Sequence, residues 1–117
     1  MGATFKKRHR LTKRAEFVRL TRLGTRCDST HFFSVMLPGT GPDSRLGVTV
    51  TRRVGCAVVR TRIKRLVREH FRLNRQVFKS PYDINVIAKN GAKLADNGAL
   101  FSSLEALFSR VEKLASS

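Results

Sequence analysis

Acid is what this chain has least of: eight Asp and Glu among 117 residues, against 24 Lys and Arg, for a formal net charge of +16. Self-repulsion of that size costs stability, so it points to a polyanionic partner, nucleic acid first and an anionic membrane surface second. The shortage also excludes chemistry. Glu16, Asp28, Asp43, Glu69, Asp83, Asp96, Glu105 and Glu112 are scattered without a paired motif. A two-metal phosphodiesterase needs carboxylates converging on ions about 4 Å apart. A metal-free ribonuclease would want a His pair with a Lys, but His9, His31 and His70 fall on an arm, at a strand start and on a helix's buried arc. The residues describe a binding protein rather than a catalyst acting alone.

Cysteine is nearly absent. Cys27 and Cys56 are too few for a disulfide framework. Cys27 and His31 have a ligand-like spacing that Cys56 and His70 would complete as a zinc set, but no tight Cys pair is present to nucleate one. Two small half-buried thiols and ordinary histidines are the simpler expectation. No apolar run is long enough to cross a bilayer. The basic N-terminus lacks a signal-peptide core, and Lys6 stands where myristoylation requires Ser or Thr. The expectation is a soluble cytoplasmic protein with no membrane contact.

What is present suits one α+β domain over residues 1–117, with 41% apolar residues to build a core. Residues 1–11 read as a basic, extended arm carrying Lys6, Lys7, Arg8 and Arg10. Thr12 is a candidate N-cap for a helix over residues 13–22, which Gly24 ends. HFFSVML (31–37) reads as a strand and PGTGPDS (38–44) as a loop. In RLGVTVT (45–51), Leu46, Val48 and Val50 face one way, and Gly47, Thr49 and Thr51 leave a small polar face open to close approach. YDINVIA (82–88) is a further strand, with Ile84, Val86 and Ala88 opposite Ile87. SSLE predicts a last helix capped by Ser102 and Glu105, burying Leu104, Leu107, Phe108, Val111 and Leu114. Phe5, Phe32, Phe78 and Phe101 are assigned to core or flank.

Between the strands, GCAVVRTRIKRLVREHFR carries six Arg or Lys and one acid, Glu69. At 100° per residue Val59, Ile63, Leu66, Val67 and His70 fall in one arc, with Phe71 at its margin. Arg60, Lys64, Arg65, Arg68 and Arg72 spread over the other side, flanked by Arg62. From 59 to 72 the helix is ~21 Å long, enough to track several phosphates. Solvated helix faces normally mix signs. This one does not, and Glu69 can pair only with Arg65 or Arg72. A DNA-reading helix-turn-helix is disfavoured, because a strand, not a short helix, precedes it. A membrane-lying helix is poorly served by flanking strands. A structural RNA-binding protein such as a ribosomal one remains the rival reading.

RLGVTVTRRVGCAVVRTRIKRLVREHFR resembles the signature of the bacterial ribonuclease P protein subunit family. The likeness extends to KKRHRL…EF (6–17) and YDINVIAK (82–89). It implies an α-β-β-β-α-β-α order with a short strand near residues 25–27. It further implies a fold like the second domain of ribosomal protein S5 and a left-handed βαβ crossover, which periodicity cannot reveal. It implies partners as well: a catalytic RNA subunit that holds the magnesium ions, and precursor tRNA, whose 5′ leader the holoenzyme removes. No protein partner is evident. Arg60, Arg62, Lys64, Arg65 and Arg68 match the family's RNA-subunit-binding helix. Arg10, Phe17, Phe33, Thr49 and Arg53 are expected at a cleft for the single-stranded leader. Four positions depart from the pattern. Thr61 and Cys56 replace asparagines, and Thr21 and Val35 replace aromatics. Thr61 keeps a hydroxyl able to bond a phosphate or a metal-bound water, and so only an indirect metal role. Magnesium ligands held by the protein alone are not expected.

Overall fold

The alternating segments form a four-stranded mixed sheet, seen in a computed structural model that describes residues 9–39, 41–74 and 80–116. Strands β1 (Thr25–Asp28), β2 (Phe32–Pro38), β3 (Arg45–Thr49) and β4 (Tyr82–Ala88) lie in the order β1-β2-β4-β3. β2 runs antiparallel to both β1 and β4, while β3 and β4 are parallel. A parallel pair needs a crossover, and helix α2 (Ala57–Asn74) supplies it. Helix α1 (Arg14–Leu23) precedes the sheet; a 3-10 turn (Asn90–Leu94) and helix α3 (Asn97–Ser116) follow it. The element order is the α-β-β-β-α-β-α that the resemblance implies, and the short strand is present.

Period-two alternation gives the sheet two different faces. On one, Phe32, Met36, Leu46, Ile84 and Val86 pack against Ile63, Val67 and Phe71 of α2 and Leu104, Leu107, Phe108 and Val111 of α3. Each such side chain, fully buried, contributes roughly 1.5–3 kcal/mol relative to exposure. The other face carries a smaller cluster, in which Val35, Leu37 and Ile87 meet Phe17 and Leu20 of α1 and Leu11. Of the basic arm, residues 9–11 are docked, and residues 1–8 lie outside the described residues. Arg10 bridges Leu46 in parallel, and the Leu11 N–H donates to the Leu46 carbonyl at 2.9 Å. His9, expected on the extended arm, is fully buried beside Asp43.

Three boundaries differ from expectation. Lys13, not Thr12, caps α1, and Glu16 Oε1 reaches back to the Lys13 N–H at 3.4 Å. Gly24 does end the helix, though not by a left-handed turn: its φ is −74°, and a Cβ there would lie 2.5 Å from the Leu20 carbonyl oxygen. α3 begins five residues before Ser102, because Asp96 Oδ1 accepts the Ala99 N–H at 2.8 Å and captures the cap first. Ser103 instead bonds Ser29 Oγ (2.7 Å) and the His31 N–H (2.9 Å) across the fold. The earlier start brings Leu100 into the core, while Leu114, expected in the buried stripe, lies 45% exposed. Phe32 is core and Phe101 packs at its margin. Phe5 and Phe78 lie outside the described residues.

Candidate nucleic-acid interface

Helix α2 buries the arc its periodicity predicts: Ile63, Leu66, Val67, His70 and Phe71. Its first residue follows Cys56, which takes the cap position. The Cys56 carbonyl accepts the Arg60 N–H at 2.9 Å. Hydrogen bonds from the backbone N–H groups of Val59 and Val58 hold the exposed thiol's pKa below its usual value. Cys27, by contrast, is buried in β1, and burial pushes its thiol pKa up. The four residues of the imagined zinc set are not assembled, and no group of three metal-binding side chains occurs among the described residues.

Arg60, Lys64 and Arg68, spaced by four, form one half-buried ridge on α2, with Arg65 more exposed beside it. Among the described residues none of these four makes an ion pair. The Arg68 guanidinium has its pKa lowered, first by burial and then by the charge of Arg10. Arg10 therefore stands where the docked arm meets the helix. Arg72 is different. It pairs with Glu69, whose pKa it lowers, so the single acid of the helix neutralises the last turn and leaves the middle cationic. Arg62 is different again, donating to Asn97 Oδ1 (3.2 Å) and the Ala95 carbonyl (3.4 Å) at the entry to α3. Beyond it a groove of about 1060 Å³ runs between α2 and α3, bordered by Val58, Thr61, Arg65 and Phe101. The Thr61 hydroxyl is exposed there.

The sheet's second face carries the other predicted residues. Gly47 lies directly under the Phe17 ring, and a Cβ built on it would meet Phe17 Cε1 at 2.4 Å. Phe17 is half-buried, so it serves the small core and also shows an edge to solvent. Phe33, Ile87 and Thr49 lie side by side across β2, β4 and β3. Thr49 Oγ1 donates to Asn85 Oδ1 at 3.2 Å. Phe17, Phe33 and Thr49 therefore share one face. Arg53 is exposed in the turn between β3 and α2, and Arg10 sits at the β3 edge, so these two border that face rather than line it.

Sequence reading missed two arginines of this face. Arg45 donates to both Asp83 oxygens (3.0 and 2.8 Å) and lies 2.5 Å from Glu16 of α1. The hydrogen bonds to Asp83 raise the Arg45 pKa. This trio fastens α1, and with it Phe17, to the sheet. The second is Arg26, whose guanidinium lies 4.0 Å from the centre of the Phe33 ring and is paired with Asp28. The alternation of Arg45 with Gly47 and Thr49 was the available signal for the first; nothing local signalled the second.

Comparison with known proteins agrees with this geometry. The model of the family described as Ribonuclease P matches residues 5–112. The ribonuclease P protein component of Desulfatibacillum aliphaticivorans is 53% identical over 90 residues, 76% of each chain. That of Desulforapulum autotrophicum is 47% identical over 76% of this chain and 77% of its own. Among solved structures, the RNase P protein of Staphylococcus aureus superimposes with a TM-score of 0.83 at 30% identity, covering 88% of this chain and 94% of that one. The Thermotoga maritima RNase P protein gives 0.77 at 30% identity, covering 86% and 96%.

Proposed function

This chain belongs to the ribonuclease P protein family, and from that premise we propose how its two surfaces divide the work. Membership makes it the protein component of a tRNA-processing endoribonuclease that partners an RNA subunit. The α2 ridge of Arg60, Lys64, Arg65 and Arg68, with Arg62 at its flank, docks on the RNA subunit. The cleft of Phe17, Phe33 and Thr49, bordered by Arg10 and Arg53, takes the single-stranded 5′ leader of precursor tRNA. The RNA subunit carries out the hydrolysis and holds the magnesium ions; the protein alone does not cut. Its work is in the cytoplasm, where tRNA precursors are made. Among the described residues no helix is long and apolar enough to cross a membrane.

One observation carries this reading: where the few acids go. Glu16 and Asp83 engage Arg45, Asp28 engages Arg26 and Lys89, and Glu69 engages Arg72. Among the described residues Arg60, Lys64, Arg65 and Arg68 on the middle of α2 have no acid paired with them, as is also true of exposed cations such as Arg19, Arg22, Arg52 and Arg53. Each that neutralises a phosphate releases counterions, which favours RNA docking and makes it salt-dependent. The cleft complements this, because single strands are held by stacking above a cationic groove.

The test is cleavage of a leader-bearing precursor tRNA at low magnesium by protein, cognate RNA, and both together. Arg65→Ala plus Arg68→Ala is the informative variant, since neither side chain holds the fold together by an ion pair. Only the combination should cut. The variant should need more protein, and the slope of log K against log salt should fall by about one per lost phosphate contact. Protein that adds nothing to the RNA, or a variant equal to wild type, would refute the docking surface.

A further inference from the structure

Stacking in the cleft rests on few rings, because Thr21 and Val35 stand where the family pattern carries aromatics. Neither replaces what is missing. Val35 is 8% exposed beneath α1, and Thr21 Oγ1 donates to the Phe17 carbonyl at 3.0 Å. Directly across from Val35 on β1, however, stands Arg26. Its guanidinium lies over the Phe33 ring, 4.0 Å from the centroid. Its Nε and Nη2 donate to the two Asp28 oxygens at 2.9 and 3.1 Å. Asp28 is itself opposite Phe33 in register and accepts from Lys89 Nζ at 3.2 Å. A two-point carboxylate contact fixes the plane of a guanidinium, and the ring beneath fixes its height. The side chain nevertheless remains 58% exposed, with its outer side toward solvent.

An exposed Arg–Asp pair by itself adds little stability, so its order asks for another use. Guanidinium planes are a recognised surface for unstacked bases. With its charge compensated by Asp28, Arg26 offers a platform more than a free cation. We infer that Arg26, seated on Phe33 and oriented by Asp28, stacks one further base of the single-stranded leader at the β1 end of the cleft. The inference rests on the leader reading of this cleft. From Thr49 through Ile87 and Phe33 to Asp28 the row crosses three strand spacings, about 14 Å, so Arg26 meets a base farther along the strand than one near Thr49.

The experiment measures binding by the reconstituted holoenzyme of precursor tRNA with a long leader and with a leader trimmed to a single nucleotide. Arg26→Ala and Arg26→Lys should each weaken the long-leader substrate about tenfold, as loss of one stacked base does. Both should leave the trimmed substrate, the salt slope and the thermal midpoint unchanged. A merely electrostatic role would be rescued by Arg26→Lys, and a merely structural one would move the midpoint and both substrates alike; either result overturns the proposal, as does no loss at all. Phe17→Ala separates the two levels. If it discriminates by leader length and Arg26→Ala does not, only the platform fails. If neither discriminates, the leader reading of the cleft fails with it.

Discussion

Replacing Gly47 by alanine should disturb fold and cleft together, and the size of the effect can be worked from the packing. The backbone is not the obstacle, since no described glycine has a positive φ. The added Cβ is. It would stand 2.4 Å from Phe17 Cε1, 2.8 Å from Cζ, and 3.2 Å from Asn85 Oδ1. Ordinary carbon contacts lie near 3.5–4.0 Å, so the ring must retreat by about 1 Å. It has little room, because Phe17 packs with Leu11, Leu20 and Val35 on a helix that the neighbouring Glu16 ties to Arg45. Overpacking of this kind costs roughly 1–3 kcal/mol. The middle of that range, about 2 kcal/mol, lowers the thermal midpoint of a domain this size by about 8 °C. Urea unfolding followed by circular dichroism measures it. The decisive comparison is Gly47→Ala made in a Phe17→Ala background, where the clashing ring is gone and the added cost should fall below about 0.5 kcal/mol. A single substitution within about 0.5 kcal/mol of wild type, or an equal cost with and without the ring, would refute the close approach.

Arg45→Met should cost about 3 kcal/mol in the same assay, the low end for breaking a buried pair, because it leaves Asp83 uncompensated at 8% side-chain exposure beside Glu16; a loss under about 1 kcal/mol would show that the trio does not fasten α1. Stability should also depend on pH. His70 is buried between Phe101 and Phe108 with no hydrogen-bond partner for either ring nitrogen. Burial lowers its pKa from 6.5, with Glu105 opposing, so the unfolded chain takes up the proton first. Stability is then full above pH 6.5 and falls as pH drops below it, a fall that His70→Leu should remove in denaturation curves.

Much of this was legible because it is local. The α2 arc follows from a 3.6-residue period, and the β3 and β4 faces from a period of two. The misread helix start shows where locality fails. SSLE and Asp96 are both sound caps in isolation, and the choice between them followed from Leu100 reaching the core and Ser103 being needed by Ser29 and His31. Leu114 fits the α3 stripe by period and is nonetheless left largely exposed by the folded chain.

The charge, the amphipathic helix, the strand alternation and the family motif are all written in near neighbours along the chain, and so could be read before it folds. Tertiary structure alone decided which cations stay free. Arg45, Arg26 and Arg68 are alike in composition. Strand register set Arg45 against Asp83, 38 residues away, and the β1–β2 pairing set Arg26 over Phe33. The docked arm brought Arg10 toward Arg68, a second cation instead of an acid. A charge is a property of a residue, but its compensation depends on distance, and distances between remote residues exist only once the chain has folded.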